Sequence, residues 1–178
     1  MIRRVKRTDA KNVSAFLRKV FAEDSASGGD PAIQTEDAVA ARCEVADVWV
    51  CIEGGKVVGV LQGFRGGHIE IGGKPYTFNY FNLLAVDYLL YTTSRSEAIR
   101  VARELNKGAA DDLRDNGGMA DLIVVEGPTG SRGASWCRLL RMSEDFKGDW
   151  SWFILPFKTI WDRLTETVDL PVPPVETL

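Results

Sequence analysis

A run of hydroxyl and charged side chains follows a long apolar segment near the middle of the chain. Residues 80–90 are almost continuously apolar, and directly after them comes Tyr91-Thr92-Thr93-Ser94-Arg95-Ser96. A strand that leads into a helix through such a corner leaves backbone N–H groups and a partial positive charge free to hold an anion. Arg95 adds a cation that suits phosphate. The segment therefore indicates a site for a phosphate-bearing ligand.

The same corner has a purely structural interpretation. Ser94 and Glu97 have the spacing of a capping box, in which each side chain bonds a backbone N–H group at the start of a helix. A carboxylate in the first helical turn also stabilises the terminus that an anion would use. On this interpretation the two residues only begin the helix, and both alternatives stay open at this point.

Composition limits the class of protein. The chain has 178 residues, of which 45% are hydrophobic and 26% are charged, as expected of one globular domain. A net charge of -3 argues against a nucleic-acid binder, which needs a concentrated basic face. No apolar run reaches the ~20 residues of a membrane span, and no signal peptide is visible. The expectation is a cytoplasmic protein that does not bind membranes.

Hydrophobic periodicity predicts alternating strands and helices. The predicted strands are residues 2–5, 48–53, 56–64, 80–90, 122–125 and 150–157, with an extra hairpin formed by 68–71 and 75–78. Helices are predicted after residues 8, 33, 94 and 131, and a short one lies around Trp161. Gly54-Gly55 and Gly72-Gly73 mark tight turns. The strands at 80–90 and 122–125 should be parallel if the helix between them is a crossover.

These elements predict an α/β (α+β) fold with a mixed central sheet flanked by helices. The predicted domain covers residues 1–157, and residues 158–178 form a short helix and an extended Pro-rich tail. Cys43, Cys51 and Cys137 lack metal-type spacing and are interpreted as small buried hydrophobic residues. We therefore predict no metal site.

The element order resembles that of the GNAT acyltransferase superfamily, whose members move an acyl group from coenzyme A to an amine. Residues 81–86 (FNLLAV) are similar to the family's central strand with its L-x-V ending. Residues 131–147 (SRGASWCRLLRMSEDFK) resemble its last helix and the following "GF" strand start, here Asp145-Phe146.

The resemblance implies acetyl-CoA as the cosubstrate and assigns residues to it. The thioester and pantetheine arm would lie against Leu84, Ala85 and Val86, and Ser131 would also contact the cofactor. The pyrophosphate would lie at the corner formed by Thr92, Thr93, Ser94, Arg95 and Ser96. Tyr80 and Asn82 would line the acceptor cleft, with ordinary sheet positions as the alternative.

A general base is expected among the carboxylates, because the acceptor amine must lose a proton. Glu126 follows the strand at 122–125, beside the gap where open α/β sheets bind ligands. Its alternative role is a solvated strand end. Asp87 is the second candidate, and its alternative role is to accept backbone N–H bonds at the corner. His68, on the extra hairpin, is predicted to be exposed.

Two departures from the family pattern affect the expected chemistry. The family's pyrophosphate loop has glycines, whereas residues 91–97 contain none. The family's general acid is a Tyr on the last helix, and its position here is occupied by Arg138 or Arg141, depending on the alignment. A guanidinium does not release its proton at neutral pH. Cys137 is adjacent, but its position predicts packing rather than chemistry.

Two functions follow from this pattern. The first is an acyl-CoA-dependent N-acetyltransferase that acts on an amine of a small molecule or protein. The alternative is an inactive module that keeps the fold and serves in a larger assembly; small divergent proteins of this kind resemble ones found in phage genomes. A homodimer or a protein partner would bind through the sheet edge or the C-terminal tail.

Overall fold

The computed structural model describes residues 1–24, 29–128, 130–147 and 149–165. Within them one seven-stranded sheet has the order β1-β2-β3-β4-β5-β7-β6. Its strands are β1 (Ile2–Arg4), β2 (Asp47–Glu53), β3 (Lys56–Ile71), β4 (Lys74–Val86), β5 (Leu122–Pro128), β6 (Ser143–Lys147) and β7 (Trp150–Pro156). The α-helices are α1 (Ala10–Glu23), α2 (Glu36–Val45), α3 (Tyr88–Thr93), α4 (Arg95–Asp115), α5 (Arg132–Leu139) and α6 (Phe157–Thr165).

Helices cover both faces of the sheet, which confirms the predicted α/β class. One core lies under α1 and α2, where Val13 and Leu17 pack with Val50 and Val60 of the sheet. The other lies under α4, α5 and α6 and has Leu105 among its fully buried members. The helix α4 approaches the sheet closely at Gly59, where an added Cβ would lie 3.0 Å from a Val101 methyl carbon.

The hairpin of β3 and β4 is longer than predicted. The two strands pair from Gly59 with Val86 to Ile71 with Lys74, through two register shifts. The predicted extra hairpin is therefore the far end of one continuous hairpin. The turn at Gly54 and Gly55, with φ of 54° and 77°, is confirmed between β2 and β3.

The strand predicted over residues 80–90 ends four residues early. Asp87 begins α3, and its carboxylate accepts a hydrogen bond from the Leu89 N–H at 3.1 Å. The corner after the strand is thus partly a helix. The predicted corner at residues 91–96 is wrong in its first half, because the Asp87 cap starts a helix that includes residues 91–93.

The C-terminal end of the described chain packs beneath the sheet. The predicted short helix is present as α6, which starts directly after β7. Trp161 of α6 donates its indole N–H to Asp111 of α4 at 2.9 Å, so α6 is fixed against that helix. The predicted Pro-rich tail lies outside the described residues. Across the described chain, no helix combines the length and apolar character needed to cross a membrane.

Candidate active site

The two central parallel strands pair along only part of their length. Residues 78–81 of β4 pair with residues 122–125 of β5, which confirms the predicted parallel arrangement. Beyond this point β4 continues against β3, and β5 continues against β7, where Glu126 pairs with Trp152. The strands therefore separate. We call the gap between residues 82–86 and residues 126–128 the notch.

Backbone groups of β4 point into the notch. The Asp87 N–H donates to the Val58 carbonyl at 2.9 Å. Because alternate residues of an antiparallel strand bond the same neighbour, the N–H of Ala85, opposite Val60, also faces β3. The N–H groups of Leu84 and Val86 then face away from β3. Of the three predicted cofactor residues on β4, Leu84 and Val86 offer amide donors to the notch, and Ala85 does not.

A cavity of about 340 Å³ occupies this position. Asn82, Leu84 and Glu126 line it on the two sides of the gap, and Ser131 lines it at the start of α5. It continues beneath the sheet as far as Leu164 of α6. The notch is thus open space rather than a position filled by the protein's own side chains.

Glu126 forms a short hydrogen bond at the edge of the notch. The Tyr80 hydroxyl donates to Glu126 Oε2 at 2.5 Å. Burial, followed by this hydrogen bond, raises the pKa of Tyr80 above its usual value, so the phenol stays protonated and remains the donor. The Tyr80 ring lies between Phe64 and Trp152, with centroid distances of 6.3 Å and 6.5 Å. A carboxylate acceptor is therefore held in place at the strand end.

Glu126 and the second predicted carboxylate have different surroundings. Asp87 caps α3 and lies 3.5 Å from the Lys19 ammonium, so its observed contacts are those of a structural residue. Among the described residues that line the cavity, Glu126 is present and Asp87 is not. The predicted substrate residue Asn82 lines the cavity and accepts a hydrogen bond from Gln62 at 3.1 Å.

The hydroxyl groups of the predicted phosphate corner mostly bond nearby backbone. Thr92 and Thr93 donate to the Leu89 carbonyl at 3.1 Å and 2.7 Å. The predicted capping box is wrong: the Ser94 side chain forms no cap hydrogen bond and instead lies 3.2 Å from the Ser96 hydroxyl. In the first turn of α4 the Glu97 N–H already donates to the Ser94 carbonyl at 3.0 Å. What the corner keeps for an anion is the N–H groups of Arg95 and Ser96 at the start of α4 and the half-buried Arg95 side chain.

The residues at the position of the family's general acid Tyr, at the end of α5, do not serve as acids here. Arg138 donates to both carboxylate oxygens of Glu144, at 2.5 Å and 2.9 Å. Arg141 has a φ of 54° and follows the helix, and β6 begins at Ser143. Asp145 and Phe146 lie in β6, so a strand follows the helix as the resemblance implies, and it begins two residues earlier than predicted. Burial raises the pKa of the Cys137 thiol to about 12, which makes it inert.

Sequence reasoning missed Trp136 as a candidate site residue. It lines the cavity from α5 and is 8% exposed. Its indole N–H has no hydrogen-bond acceptor among the described residues. A Trp on the inner face of a helix that follows a ligand-side strand was the available signal, but burial and binding give the same pattern.

Within the part of the chain that the structure describes, one group of potential metal ligands lies near the β1 edge of the sheet. Ligand atoms of Cys51, Glu53 and Glu104 all lie within 4.8 Å of one another. Arg100 donates to both carboxylates at 2.8 Å, and it therefore supplies their counter-charge. We interpret this group as an ion-pair network that ties α4 to β2.

Comparison with known proteins identifies structures that share this fold. No profile of a known protein family matches the sequence, and no curated protein matches it. Solved structures do match. The PaiA N-acetyltransferase from Thermoplasma acidophilum, in complex with coenzyme A, has a TM-score of 0.65 at 10% identity, covering 88% of this chain and 98% of that one.

Two further structures show the same likeness. An AtaT mutant toxin, bound to the C-terminus of the antitoxin AtaR and acetyl-CoA, has a TM-score of 0.62 at 14% identity, over 93% of this chain and 98% of that chain. A GNAT family acetyltransferase from Brucella melitensis, in complex with acetyl-CoA, has a TM-score of 0.56 at 17% identity, over 88% and 87%. The architecture matches that of these acetyltransferase structures and of the toxin. More particularly, the chain has the GNAT fold, in a divergent form.

Proposed function

We propose that this protein is an acyl-CoA-dependent N-acyltransferase of the GNAT superfamily, with acetyl-CoA or a related thioester as the donor. The observation that carries the proposal is the notch: two parallel strands separate at residues 82 and 126 and enclose a cavity, with two backbone N–H groups directed into it. The matching folds with coenzyme A or acetyl-CoA bound support the same donor.

The residues around the notch fit a thioester of coenzyme A. The N–H groups of Leu84 and Val86 have the direction needed to polarise the thioester carbonyl. The first turn of α4 and Arg95 supply the positive end for a diphosphate. Thr92 and Thr93 are weaker candidates than the sequence indicated, because their hydroxyls already bond the Leu89 carbonyl. Ser131 lines the cavity, but its hydroxyl is occupied as the cap of α5.

Glu126 is proposed as the general base. Its carboxylate takes the proton of the attacking amine, directly or through a water, and Tyr80 keeps that carboxylate oriented. The amine nitrogen then bonds to the carbonyl carbon, and the bond from that carbon to sulfur breaks. Since Arg138 is bound to Glu144 and Cys137 is buried, the departing thiolate takes its proton from water. Positioning and polarisation of the carbonyl carry most of the acceleration.

Titration calorimetry with acetyl-CoA on the full chain tests the proposal. We expect micromolar binding that Arg95→Glu weakens by about 10- to 100-fold, as expected for loss of a charge-assisted phosphate contact. The matched control is Arg18→Glu, which makes the same charge change at an exposed position of α1 and should bind normally. Absence of heat and of a thermal shift at high ligand concentration would retire the enzyme and favour the module without chemistry.

A further inference from the structure

We infer that the donor of this enzyme carries an acyl chain longer than acetyl, and that the chain enters an apolar chamber beneath the notch. This inference rests on the proposed function. The chamber is the part of the cavity lined by Ala110, Leu113, Leu140, Phe153, Ile160 and Leu164. The substrate class is then a medium-chain acyl thioester.

The chamber walls have the chemistry of a hydrocarbon site. They come from α4, α5, α6 and β7, and each of the six side chains is at most 7% exposed. These six side chains are purely aliphatic or aromatic, so a polar ligand group against them would lose its water without gaining a partner. Asn106, one turn before Ala110 on α4, is a polar lining residue, and its amide N–H₂ group already donates to the Ala102 carbonyl at 2.8 Å. A hydrocarbon chain has no hydrogen bonds to water to lose, and burial of its apolar surface there is favourable.

The size of the cavity exceeds what an acetyl group needs. Protein interiors are close-packed, and few voids are larger than a water molecule. An apolar cavity of about 150 Å³ binds benzene, whereas the cavity here measures about 340 Å³. This volume includes the notch and a part that reaches Phe21 and Ile33 on the other side of the sheet. By proportion the whole cavity holds roughly a dozen carbon atoms. Because the chamber is only part of it, we expect room for an acyl chain of about six to eight carbons.

The buried Trp136 indole indicates that the ligand also has an acceptor atom. Its N–H lies in a side chain that is 8% exposed and has no acceptor among the described residues. A buried donor without a partner is costly, and native proteins rarely keep one. The same side chain lines the cavity. A thioester with amide groups in its arm offers such an acceptor together with an apolar tail.

The geometry of the strands separates this chamber from the acceptor side. Side chains alternate along a strand, and Phe81 and Val125 belong to the core under α4, α5 and α6. Tyr80 and Glu126 therefore point to the opposite face of the sheet. The amine must approach the base on that face, which leaves the chamber for the donor's tail.

A chain-length series tests the inference on the unaltered full chain. Calorimetry would measure coenzyme A and its acetyl, butyryl, hexanoyl, octanoyl and decanoyl esters. Each buried methylene should tighten binding about fourfold, or about fifteenfold per two-carbon step, until the chamber is full. Equal affinities for acetyl and octanoyl esters would overturn the inference and leave the proposed function intact. Binding of no member of the series would overturn both.

Two variants should change, in opposite directions, the acyl chain length that binds most tightly. Ala110→Leu partly fills the chamber, so the ratio of octanoyl to acetyl affinity should fall by at least about tenfold. Leu164→Ala enlarges it and should move the optimum to a longer chain. The control Ala15→Leu makes the first change at an exposed position of α1. An equal loss of affinity for the acetyl and octanoyl esters in Ala110→Leu would contradict the assignment of the chamber. If that variant does not fold, the chain-length series on the unaltered protein is the test.

Discussion

The two halves of the β4–β5 pair differ in what holds them. In the paired half, residues 78–81 and 122–125 form a ladder, and the buried Asn79 side chain donates to the Gly118 carbonyl at 2.8 Å. In the open half the strands have separate neighbours, and Glu126 meets Tyr80 at the rim. The same two strands thus supply rigidity at one end and unpaired backbone donors at the other.

This difference shows how a sheet becomes a binding site without irregular loops. Each strand of the open half keeps one ladder, against β3 or β7, so its remaining N–H groups keep a fixed direction. The strand β4 bends where this half begins, because the register shift opposite Gln62 and Gly63 makes Asn82 an extra residue. Leaving those N–H groups without a partner costs free energy. The hydrogen bonds of the paired half and of the two outer ladders offset that cost.

Substitution of Glu126 should have the largest effect. Glu126→Gln keeps the Tyr80 contact geometry but removes the proton acceptor, so transfer should fall by about 100- to 10,000-fold. The measurement is thiol release from acetyl-CoA with a panel of primary amines. Glu70→Gln, at the exposed end of the β3–β4 hairpin, is the control. An unchanged rate in Glu126→Gln would remove Glu126 from the mechanism.

Truncation of a paired-half side chain should cost more stability than truncation at the notch. Val124 is 1% exposed, so Val124→Ala should lower the free energy of unfolding by about 2 kcal/mol. Leu84 is half-buried and borders open space, so Leu84→Ala should cost about 1 kcal/mol or less. Urea unfolding followed by tryptophan fluorescence compares the two. Equal losses would mean that the notch is packed like the core.

Loss of the Tyr80 hydroxyl should have a smaller, pH-dependent effect. Removal of its bond to Glu126 should cost about 1 kcal/mol at neutral pH. Because the pKa of Tyr80 is raised in the folded protein, its contribution is complete below the unfolded value of about 10 and is lost as the pH rises above it. The unaltered protein should therefore lose stability above pH 10 more steeply than Tyr80→Phe. Parallel alkaline curves would contradict the raised pKa.

The smallest effect is expected at the outer end of the paired half. Asp121 accepts the backbone N–H and the hydroxyl of Thr77, both at 2.8 Å, and these bonds lower the pKa of Asp121. Its contribution is present above the unfolded pKa and is lost as the pH falls through the lower folded value. Asp121→Asn should slightly lower Tm at pH 7 and reduce the loss of Tm on acidification. If Tm falls on acidification by the same amount in Asp121→Asn and in the unaltered protein, this contact adds no stability.

Local patterns in the sequence predicted most elements of the fold. The spacing of apolar residues predicts a stripe on α4 formed by Ile99, Ala102, Leu105, Ala109 and Leu113. The last four are buried, and Ile99 is half-buried. The Gly54-Gly55 turn and the parallel β4–β5 pairing were also predicted correctly. These features depend on periodicity, turn residues and connection length, which neighbouring residues determine.

The sequence predictions were wrong where the local structure depends on residues far away in the sequence or on a single helix-capping residue. Residues 88–93 are apolar and fit a strand or a helix, and the Asp87 cap selects α3. The roles of Ala85, Thr92 and Thr93 changed because they depend on which neighbour each backbone or hydroxyl group bonds. The cavity reaching α6 depends on packing among three helices, and no local pattern specifies that. The choice of Glu126 as base remains a prediction, as do the other assigned site residues.

The most direct test of the account is a backbone amide NMR titration with acetyl-CoA. The account predicts that the N–H resonances of Leu84 and Val86 shift with saturating ligand, because both groups face the notch. The resonances of residues 78–81 should stay in place, since they belong to the paired half. Shifts confined to other parts of the sheet, with Leu84 and Val86 unchanged at saturation, would contradict the account.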